Sequence, residues 1–329
     1  MDLALGTVQF GLDYGISNTQ GQVNKTEVFD ILTQAKHLGI NTLDCAGAYG
    51  NSEHLLGEIF NESNLSEDFS IISKIPALNN DQHSIETAFF RSLEHLQQQQ
   101  IETLLFHHSD NLLYHPKKDS LFKQALSLKS QGLIERIGVS VYTPEQLKKI
   151  ASHYPLEVVQ APINVFDQRF IATDVIELCQ QKNIVLHARS LFLQGLLFID
   201  QNKVAPYFQP YQQKLNDFAA LAQHLNCTKV TLALAMLVNS SPTSTPIARA
   251  NITAQKSHSI IQENVNDKVT NQIDKSIVEK LVVGVCNTQQ LSDIVEAYKL
   301  AKEISISKTE LLALADERLG FINPSLWSV

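Results

Sequence analysis

Residues 43–53 read Leu-Asp-Cys-Ala-Gly-Ala-Tyr-Gly-Asn-Ser-Glu, and they join an apolar strand to an amphipathic helix. The apolar run from Ile40 to Leu43 ends at Asp44, a loop of small residues presents Tyr49, and a helical pattern follows over 51–61. The small residues leave room for a molecule to approach the Tyr49 phenol. This stretch therefore predicts one unit of strand, loop and helix, with a polar group in the loop.

The same alternation of strand and helix continues along the whole chain. Strands are predicted at 3–7, 41–44, 70–74, 103–107, 136–140, 158–161, 184–188 and 281–285. Helical patterns cover 24–38, 51–61, 83–97, 118–131, 143–152, 173–182, 211–224 and 288–302, with a further helix at 307–318. Such a series predicts an α/β protein whose parallel strands close into a TIM (β/α)8 barrel. An open, doubly wound parallel sheet is the competing arrangement.

The domain organisation follows from length and composition. At 329 residues and 44% hydrophobic, the chain can bury one large core, so residues 1–329 are predicted to form a single barrel domain. A polar stretch at 239–279 separates the seventh helical region from the last strand, where a few residues would suffice. We interpret this insertion either as a surface excursion or as an element that contacts a partner or a second subunit.

Charge and cysteine usage narrow the classes of partner. The net charge of -8 leaves no basic stripe for a nucleic acid. The four cysteines are far apart in sequence, which is typical of reduced thiols in a cytoplasmic protein. No apolar run approaches membrane length, and no basic leader precedes one. We therefore expect a cytoplasmic protein with neither a nucleic-acid nor a membrane partner, while the oligomeric state is not indicated.

Four chemically complementary residues are placed on one rim by the barrel interpretation. Asp44, Lys74 and His107 end the second, third and fourth strands, and Tyr49 lies in the loop after the second. Barrel enzymes build their active sites at this C-terminal rim. A lysine at about 4 Å would move the pKa of a tyrosine from ~10 toward ~7, where the phenol can exchange protons. Asp44 would hold Lys74, and His107 would direct a hydrogen bond at a substrate oxygen.

These residues also have simpler interpretations. An aspartate and a lysine at strand ends often form a rim salt bridge, and a loop tyrosine often covers apolar surface. The neighbouring pair His107 and His108 does not predict a metal site, because adjacent strand side chains point to opposite faces. The favoured interpretation is therefore catalytic, with no metal.

At this point the chain resembles the aldo-keto reductase family. The pattern Asp-x-Ala-x-x-Tyr-Gly-x-Ser-Glu at 44–53 is similar to the family signature. Further similar segments are 73–74, 104–107, 137–140, 159–160, 194–197, Gly284 and 290–291. The resemblance covers nearly the whole chain except 239–279. It implies a barrel that binds NADPH or NADH in an extended form and transfers a hydride to a carbonyl group.

The resemblance also implies a role for each site residue. Tyr49 would be the proton donor, Lys74 and Asp44 would tune it, and His107 would orient the substrate. Ser140 would hold the nicotinamide carboxamide, and backbone near Gly195 would meet the phosphates. The full set implied to bind the cofactor is Gly6, Thr7, Asp44, Ser140, Gln160, Arg189, Ser190, Gly195, Gly284 and Gln290.

Three departures from the family pattern concern the cofactor. Many members have an asparagine where this chain has Val141, and many stack a tyrosine on the nicotinamide where this chain has Arg189. Members that bind NADPH usually carry a basic residue near the last turn, but residues 285–288 contain none. The preference between NADPH and NADH therefore stays open, and NADH becomes plausible.

Two functions remain after this comparison. The first is NAD(P)H-dependent reduction of an aldehyde or ketone, with a small polar or sugar-like carbonyl compound favoured as the substrate. The second is a nucleotide-binding barrel that acts as a redox-sensing or scaffolding partner without significant turnover. Four aromatic residues could be either a substrate wall or part of the core: Phe10, Tyr14, Phe166 and Phe192.

Overall fold

The computed structural model describes residues 2–82, 84–200, 203–238 and 277–328. Within these ranges eight parallel strands form a closed barrel in sequence order, and the last strand pairs with the first. The strands are β1 (Leu3–Gly6), β2 (Thr42–Asp44), β3 (Ser70–Ile75), β4 (Ile101–Phe106), β5 (Ile134–Ser140), β6 (Val158–Pro162), β7 (Val185–Arg189) and β8 (Val278–Gly284). The predicted TIM barrel is confirmed, and the open sheet is excluded.

Helices surround this barrel and follow the strands. They are α1 (Val8–Gly11), α2 (Lys25–His37), α3 (Ser52–Glu62), α4 (Glu86–Leu96), α5 (Asp110–Leu113), α6 (Lys118–Ser130), α7 (Pro144–Ala151), α8 (Thr173–Lys182), α9 (Gln212–His224), α10 (Lys229–Val238), α11 (Thr288–Ala301), α12 (Lys308–Leu314) and α13 (Leu319–Ile322). Side-chain caps fix several starts: the Asn24 side chain accepts the Glu27 N–H at α2, and Thr143 forms a capping box with Gln146 at α7. Such caps satisfy N–H groups that the helix leaves unpaired.

Several boundaries differ from the sequence prediction by a few residues, and two of these differences concern the C-terminal part of the chain. Strand β8 begins at Val278, and Ile277 before it is also buried, so 277–279 belong to the barrel rather than to the insertion. The rest of that insertion, 239–276, lies outside the described residues. The helix predicted over 307–318 is shorter, because α12 ends at Leu314 and α13 follows as a separate short helix.

The barrel interior is apolar in its middle and charged at its N-terminal end. Ile72, Leu105 and Val158 form a small buried cluster apart from the larger core between strands and helices. Toward the N-terminal end, the Arg136 guanidinium lies 2.8 Å from the Glu279 carboxylate, and His187 Nε2 lies 2.8 Å from the same oxygen. The Arg136–Glu279 ion pair and its contact with His187 occupy that end, and the open space lies at the C-terminal rim, where barrel enzymes bind their ligands.

No single helix among the described ranges is long and apolar enough to span a membrane. One pair, Pro206–His224 with Lys229–Val238, meets the length and composition requirement only together and across an 86° bend. In the same ranges, His, Cys, Asp and Glu side chains form no group of three that could hold a metal ion.

Candidate active site

Three of the four rim residues predicted from the sequence, Asp44, Tyr49 and Lys74, meet at one ammonium group, and the fourth, His107, lies beside the Tyr49 ring. Lys74 Nζ donates to Asp44 Oδ2 at 2.8 Å, to the Cys45 carbonyl at 2.8 Å and to Tyr49 Oη at 3.2 Å. Its three hydrogen bonds use all three protons of a lysine ammonium. Lys74 is 1% exposed and Asp44 3% exposed, so this ion pair is shielded from water.

Two glycines bring the Tyr49 loop against the barrel. A Cβ at Gly50 would clash with the Gly11 carbonyl, and a Cβ at Gly11 would clash with the Tyr49 carbonyl. Gly50 also has a φ of 58°, which glycine adopts without strain. Ligand access was the predicted reason for the small residues, but at Gly50 the space is filled by the backbone of α1.

Hydrogen bonds behind the loop hold it in place, and sequence reasoning did not find them. Ser52 Oγ donates to the Thr7 carbonyl at 2.9 Å, and Thr7 Oγ1 donates to the Asp44 carbonyl at 3.2 Å. Ser73, next to Lys74 on β3, donates to the buried Glu53 carboxylate at 2.5 Å. The polar residues of the 44–53 motif could have indicated these hydrogen bonds, because buried polar groups need hydrogen-bond partners.

The pKa of Tyr49 differs from the sequence expectation. Burial raises the pKa of Tyr49 above its ordinary value, and the Lys74 charge, which acts in the opposite direction, is outweighed. The phenol is therefore protonated at neutral pH in the protein alone, rather than poised near 7. Burial alone would lower the pKa of Lys74, but Asp44 and Tyr49 together raise it, so that the ammonium stays charged.

His107 lies at the other side of Tyr49 and is neutral. The two rings meet edge to face, with centroids 5.8 Å apart. Burial, helped by the charges of Lys74 and Arg189, lowers the pKa of His107 to about 3. His107 Nδ1 is buried and has no hydrogen-bond partner among the described residues. Because a buried N–H without an acceptor is costly, the ring carries its proton on Nε2.

A cavity of about 620 Å³ opens above this group, which is within the usual range of roughly 300–1,000 Å³ for small-molecule sites. Tyr49 and His107 line it, while Lys74 lies behind its wall. All ten residues that the family resemblance assigned to the cofactor also line this cavity: Gly6, Thr7, Asp44, Ser140, Gln160, Arg189, Ser190, Gly195, Gly284 and Gln290. The structure thus gathers residues from seven of the eight strand ends or their loops around one space, the exception being β3.

Two of these wall residues are fixed by contacts within the protein. Gln160 Nε2 donates to Asp44 Oδ1 at 2.7 Å, so that each oxygen of Asp44 has a partner. The Arg189 guanidinium stacks 4.4 Å from the centroid of the Tyr142 ring and donates to the Val141 carbonyl at 3.1 Å. Sequence reasoning expected Arg189 to face a cofactor ring and did not identify Tyr142.

The turn after β7 has an unusual backbone. Ser190, Leu193 and Gln194 have φ values of 58°, 47° and 53°, a region that residues other than glycine rarely adopt. Gly195 follows with a φ of 88°, and a Cβ there would clash with Ser17. Strain of this kind persists where the surrounding structure enforces it and is concentrated at ligand sites.

The four aromatic residues considered as a substrate wall separate into two groups. Phe10 and Phe166 are 0% exposed and belong to the core. Tyr14 and Phe192 line the cavity, together with Phe198, which the sequence analysis did not single out. Two of the four aromatic candidates therefore belong to the cavity wall and two to the core.

Comparisons with known proteins identify the family of this chain. Residues 2–312 match the model of the Aldo/keto reductase family. The chain is 28% identical over 139 residues to the methylglyoxal reductase DkgA of Yersinia pestis, covering 41% of this chain and 47% of that protein. It is 23% identical over 299 residues to the NADH-specific methylglyoxal reductase of Escherichia coli (strain K12), covering 80% of this chain and 90% of that protein.

Solved structures show the same fold. An aldo-keto reductase of Bacillus halodurans superposes with a TM-score of 0.66 at 16% identity, over 96% of this chain and 92% of that one. The match to the Yersinia protein spans only about half of that protein's length, whereas the Escherichia protein and the Bacillus structure are matched almost from end to end.

Proposed function

Since the chain belongs to the aldo-keto reductase family, as the match over residues 2–312 shows, we propose that it reduces an aldehyde or ketone to an alcohol with NADPH or NADH. The observation that carries this proposal is the buried Lys74 ammonium, which donates to Asp44 and Tyr49 at once. This arrangement stabilises the phenolate that remains after Tyr49 has given up a proton.

The cavity wall fits a nicotinamide cofactor. Ser140 and Gln160 lie on neighbouring strand ends, and Gln160 uses its amide N–H on Asp44, which leaves its carbonyl oxygen for a carboxamide N–H. Gln9 Oε1 at the same wall is buried without a partner among the described residues, so a polar ligand would satisfy it. The cofactor would supply the hydride that reaches the carbonyl carbon.

The chain's own residues handle the proton. Tyr49 Oη donates its proton to the substrate oxygen as negative charge develops there, and Lys74 stabilises the resulting phenolate. His107 presents its Nε2–H to the same oxygen and so fixes the direction of the carbonyl. The raised pKa of Tyr49 keeps the phenol protonated at neutral pH, which is the state that a proton donor needs.

The substrate is proposed to be a small polar carbonyl compound. Two relatives are named as methylglyoxal reductases, and methylglyoxal is a small aldehyde with a neighbouring keto group. In the cavity, His107 and the Arg189 guanidinium supply polar groups near Tyr49. We therefore place methylglyoxal and short sugar-like aldehydes ahead of large ring ketones.

A scaffolding role without turnover accounts for fewer of these observations. Burying a lysine and an aspartate costs several kcal/mol before their attraction offsets it. A protein that only binds nucleotide does not require Lys74 to contact the Tyr49 hydroxyl. The insertion that motivated the scaffold interpretation lies outside the described residues, and the contact between Lys74 and Tyr49 favours the reductase.

Two measurements test the proposal. Quenching of protein fluorescence during separate titrations with NADH and NADPH reports binding, and consumption of the reduced cofactor with methylglyoxal and a series of small aldehydes reports turnover. We expect saturable binding of at least one cofactor and turnover with small polar aldehydes. If neither cofactor binds, or if bound cofactor is not oxidised by any carbonyl compound tested, the proposal is wrong.

A further inference from the structure

The cavity wall carries one cationic side chain that the proposed proton transfer does not use. Among the described residues that line the cavity, Arg189 at the end of β7 is the one lysine or arginine. Burial keeps His107 neutral by lowering its pKa to about 3. The two carboxylates of the wall belong to Asp44, which pairs with Lys74, and to Asp293 on α11. The cavity therefore presents a single positive charge to a ligand.

This charge has no counter-ion within the part of the chain that the structure describes. Arg136 and Arg169 each pair with a carboxylate, whereas no carboxylate forms an ion pair with Arg189. Two of the five N–H groups of its guanidinium donate to the Val141 carbonyl at 3.1 Å and to Ser190 Oγ at 3.2 Å, which leaves three for a ligand or water. A partly buried cation without a counter-ion is costly, and an anionic ligand would offset that cost.

Two tyrosines hold the guanidinium at the wall. Its central carbon lies 4.4 Å from the centroid of the Tyr142 ring, which covers one face of the guanidinium plane. Burial raises the pKa of Tyr14, and the Arg189 charge opposes that effect, so this phenol lies close to the cation as well. A guanidinium fixed in this way is already oriented for hydrogen bonds and loses little freedom when a ligand binds.

The cation also lies close to the reacting groups. Its charge contributes to the lowered pKa of His107 and acts against the raised pKa of Tyr49. All three side chains line the same cavity. An anionic group bound to Arg189 and a carbonyl oxygen bound by Tyr49 and His107 would therefore belong to one small molecule, separated by a few bonds.

We propose that Arg189 binds a carboxylate or phosphate group of the substrate, so that this site prefers small acidic aldehydes and ketones over neutral ones. The inference rests on the proposed function and narrows its substrate class. A guanidinium matches the oxygen spacing of both anionic groups and can donate two parallel hydrogen bonds to either. Methylglyoxal lacks such a group and should be a poorer substrate than an acidic aldehyde of similar size.

The test compares kcat/KM for pairs of aldehydes that differ in one anionic group. One pair is 4-oxobutanoate and its methyl ester, and the other is glyceraldehyde 3-phosphate and glyceraldehyde. A hydrogen bond to a charged partner gives a preference of about tenfold to a hundredfold, which should appear for the acidic member of at least one pair. The pair with the larger ratio identifies the anionic group as carboxylate or phosphate. Because the contact exists before the reaction as well as during it, the preference should lie mainly in KM.

Substitution of Arg189 tests whether this residue causes the preference. Arg189→Gln removes the charge and should bring the ratio of kcat/KM within a pair to about threefold or less, whereas Arg189→Lys keeps the charge and should retain part of the preference. The ratio cancels any loss that both members of a pair share, such as weaker cofactor binding. The matched control is Arg91→Gln, which removes an arginine at an exposed position on α4 and should leave the ratio unchanged.

The outcomes separate this inference from the proposed function. Equal kcat/KM for acidic and neutral aldehydes, or a preference that survives Arg189→Gln, overturns the role of Arg189, while turnover of the neutral aldehydes upholds the reductase proposal. Turnover of no aldehyde overturns both. If Arg189→Gln weakens cofactor binding in fluorescence titration and leaves the ratio unchanged, Arg189 serves the cofactor and the inference is wrong. A preference that disappears in Arg189→Gln and persists in Arg91→Gln supports it.

Discussion

Replacing Lys74 with methionine removes the cation from the site while keeping a side chain of similar length. The ammonium lies 3.2 Å from Tyr49 Oη. With an effective dielectric constant of about 20, its attraction for a phenolate at that distance is about 5 kcal/mol, or nearly four pKa units. Asp44 opposes Lys74 with a smaller effect of its own. If Asp44 offsets about half of the attraction, the loss of turnover is still about fiftyfold to a hundredfold.

The same substitution also affects stability, so the assay must separate the two effects. Lys74→Met leaves the buried Asp44 carboxylate without its ammonium, which should lower the free energy of unfolding by about 3–5 kcal/mol. The double variant Asp44→Asn with Lys74→Met removes both charges, and its amide oxygen can still accept the hydrogen bond from Gln160. We expect the double variant to regain most of the stability in urea denaturation and none of the turnover.

Turnover is measured with saturating cofactor and substrate, and cofactor binding by fluorescence titration. Lys74 does not line the cavity, so its replacement should leave the dissociation constant of the cofactor within about threefold. The reasoning is refuted if Lys74→Met retains full turnover. It is refuted equally if the double variant recovers turnover along with stability, because the loss would then come from distortion of the fold.

Three further predictions test other parts of the structure. Because the pKa of His107 is about 3 in the folded protein and 6.5 ordinarily, the unfolded chain binds more protons between these values, and stability falls as the pH drops. In urea denaturation, the free energy of unfolding of the unaltered protein should fall between pH 6.5 and about pH 4.5 by about 2–3 kcal/mol more than that of His107→Gln. An equal fall in the two proteins would contradict the shifted pKa. Ser73→Ala removes the hydrogen-bond donor of the buried Glu53 carboxylate and should lower the free energy of unfolding by about 1–3 kcal/mol. The control Ser70→Ala, at an exposed position on the same strand, should lower it by less than about 0.5 kcal/mol. Equal changes in the two variants would exclude a stabilising role for the Ser73 hydrogen bond. Replacing 240–275 with a short glycine-serine linker should keep turnover within about twofold, and loss of turnover in a folded variant would assign the insertion to the active site.

The barrel fold could be predicted because the patterns that specify its strands and helices are local in the sequence. Apolar runs ending in Asp44, Lys74 and His107 alternate with amphipathic stretches, and that order determines which residues share the C-terminal rim. The start of β8 was not predictable in this way. Val278 pairs with Leu186 across the sheet, but the sequence before it is polar, so no apolar pattern marks the beginning of the strand.

The electrostatics of the site depended on contacts that the sequence does not reveal. The proximity of Lys74 to Tyr49 was foreseeable, but the burial that raises the pKa of the phenol was not. The stacking of Arg189 on Tyr142 depends on side-chain directions across neighbouring loops. Gln160 and Asp44 are far apart in the sequence, and only the closed barrel brings their side chains together.

The central claim is that Tyr49 donates the proton during carbonyl reduction. Its most direct test is the rate of cofactor oxidation in Tyr49→Phe, with a saturating concentration of the reduced cofactor that the unaltered protein binds and the best aldehyde found for that protein. The phenyl ring retains the packing and loses only the hydroxyl group, so cofactor binding should stay within about threefold, while turnover should fall at least about a hundredfold. Undiminished turnover in Tyr49→Phe would contradict the account.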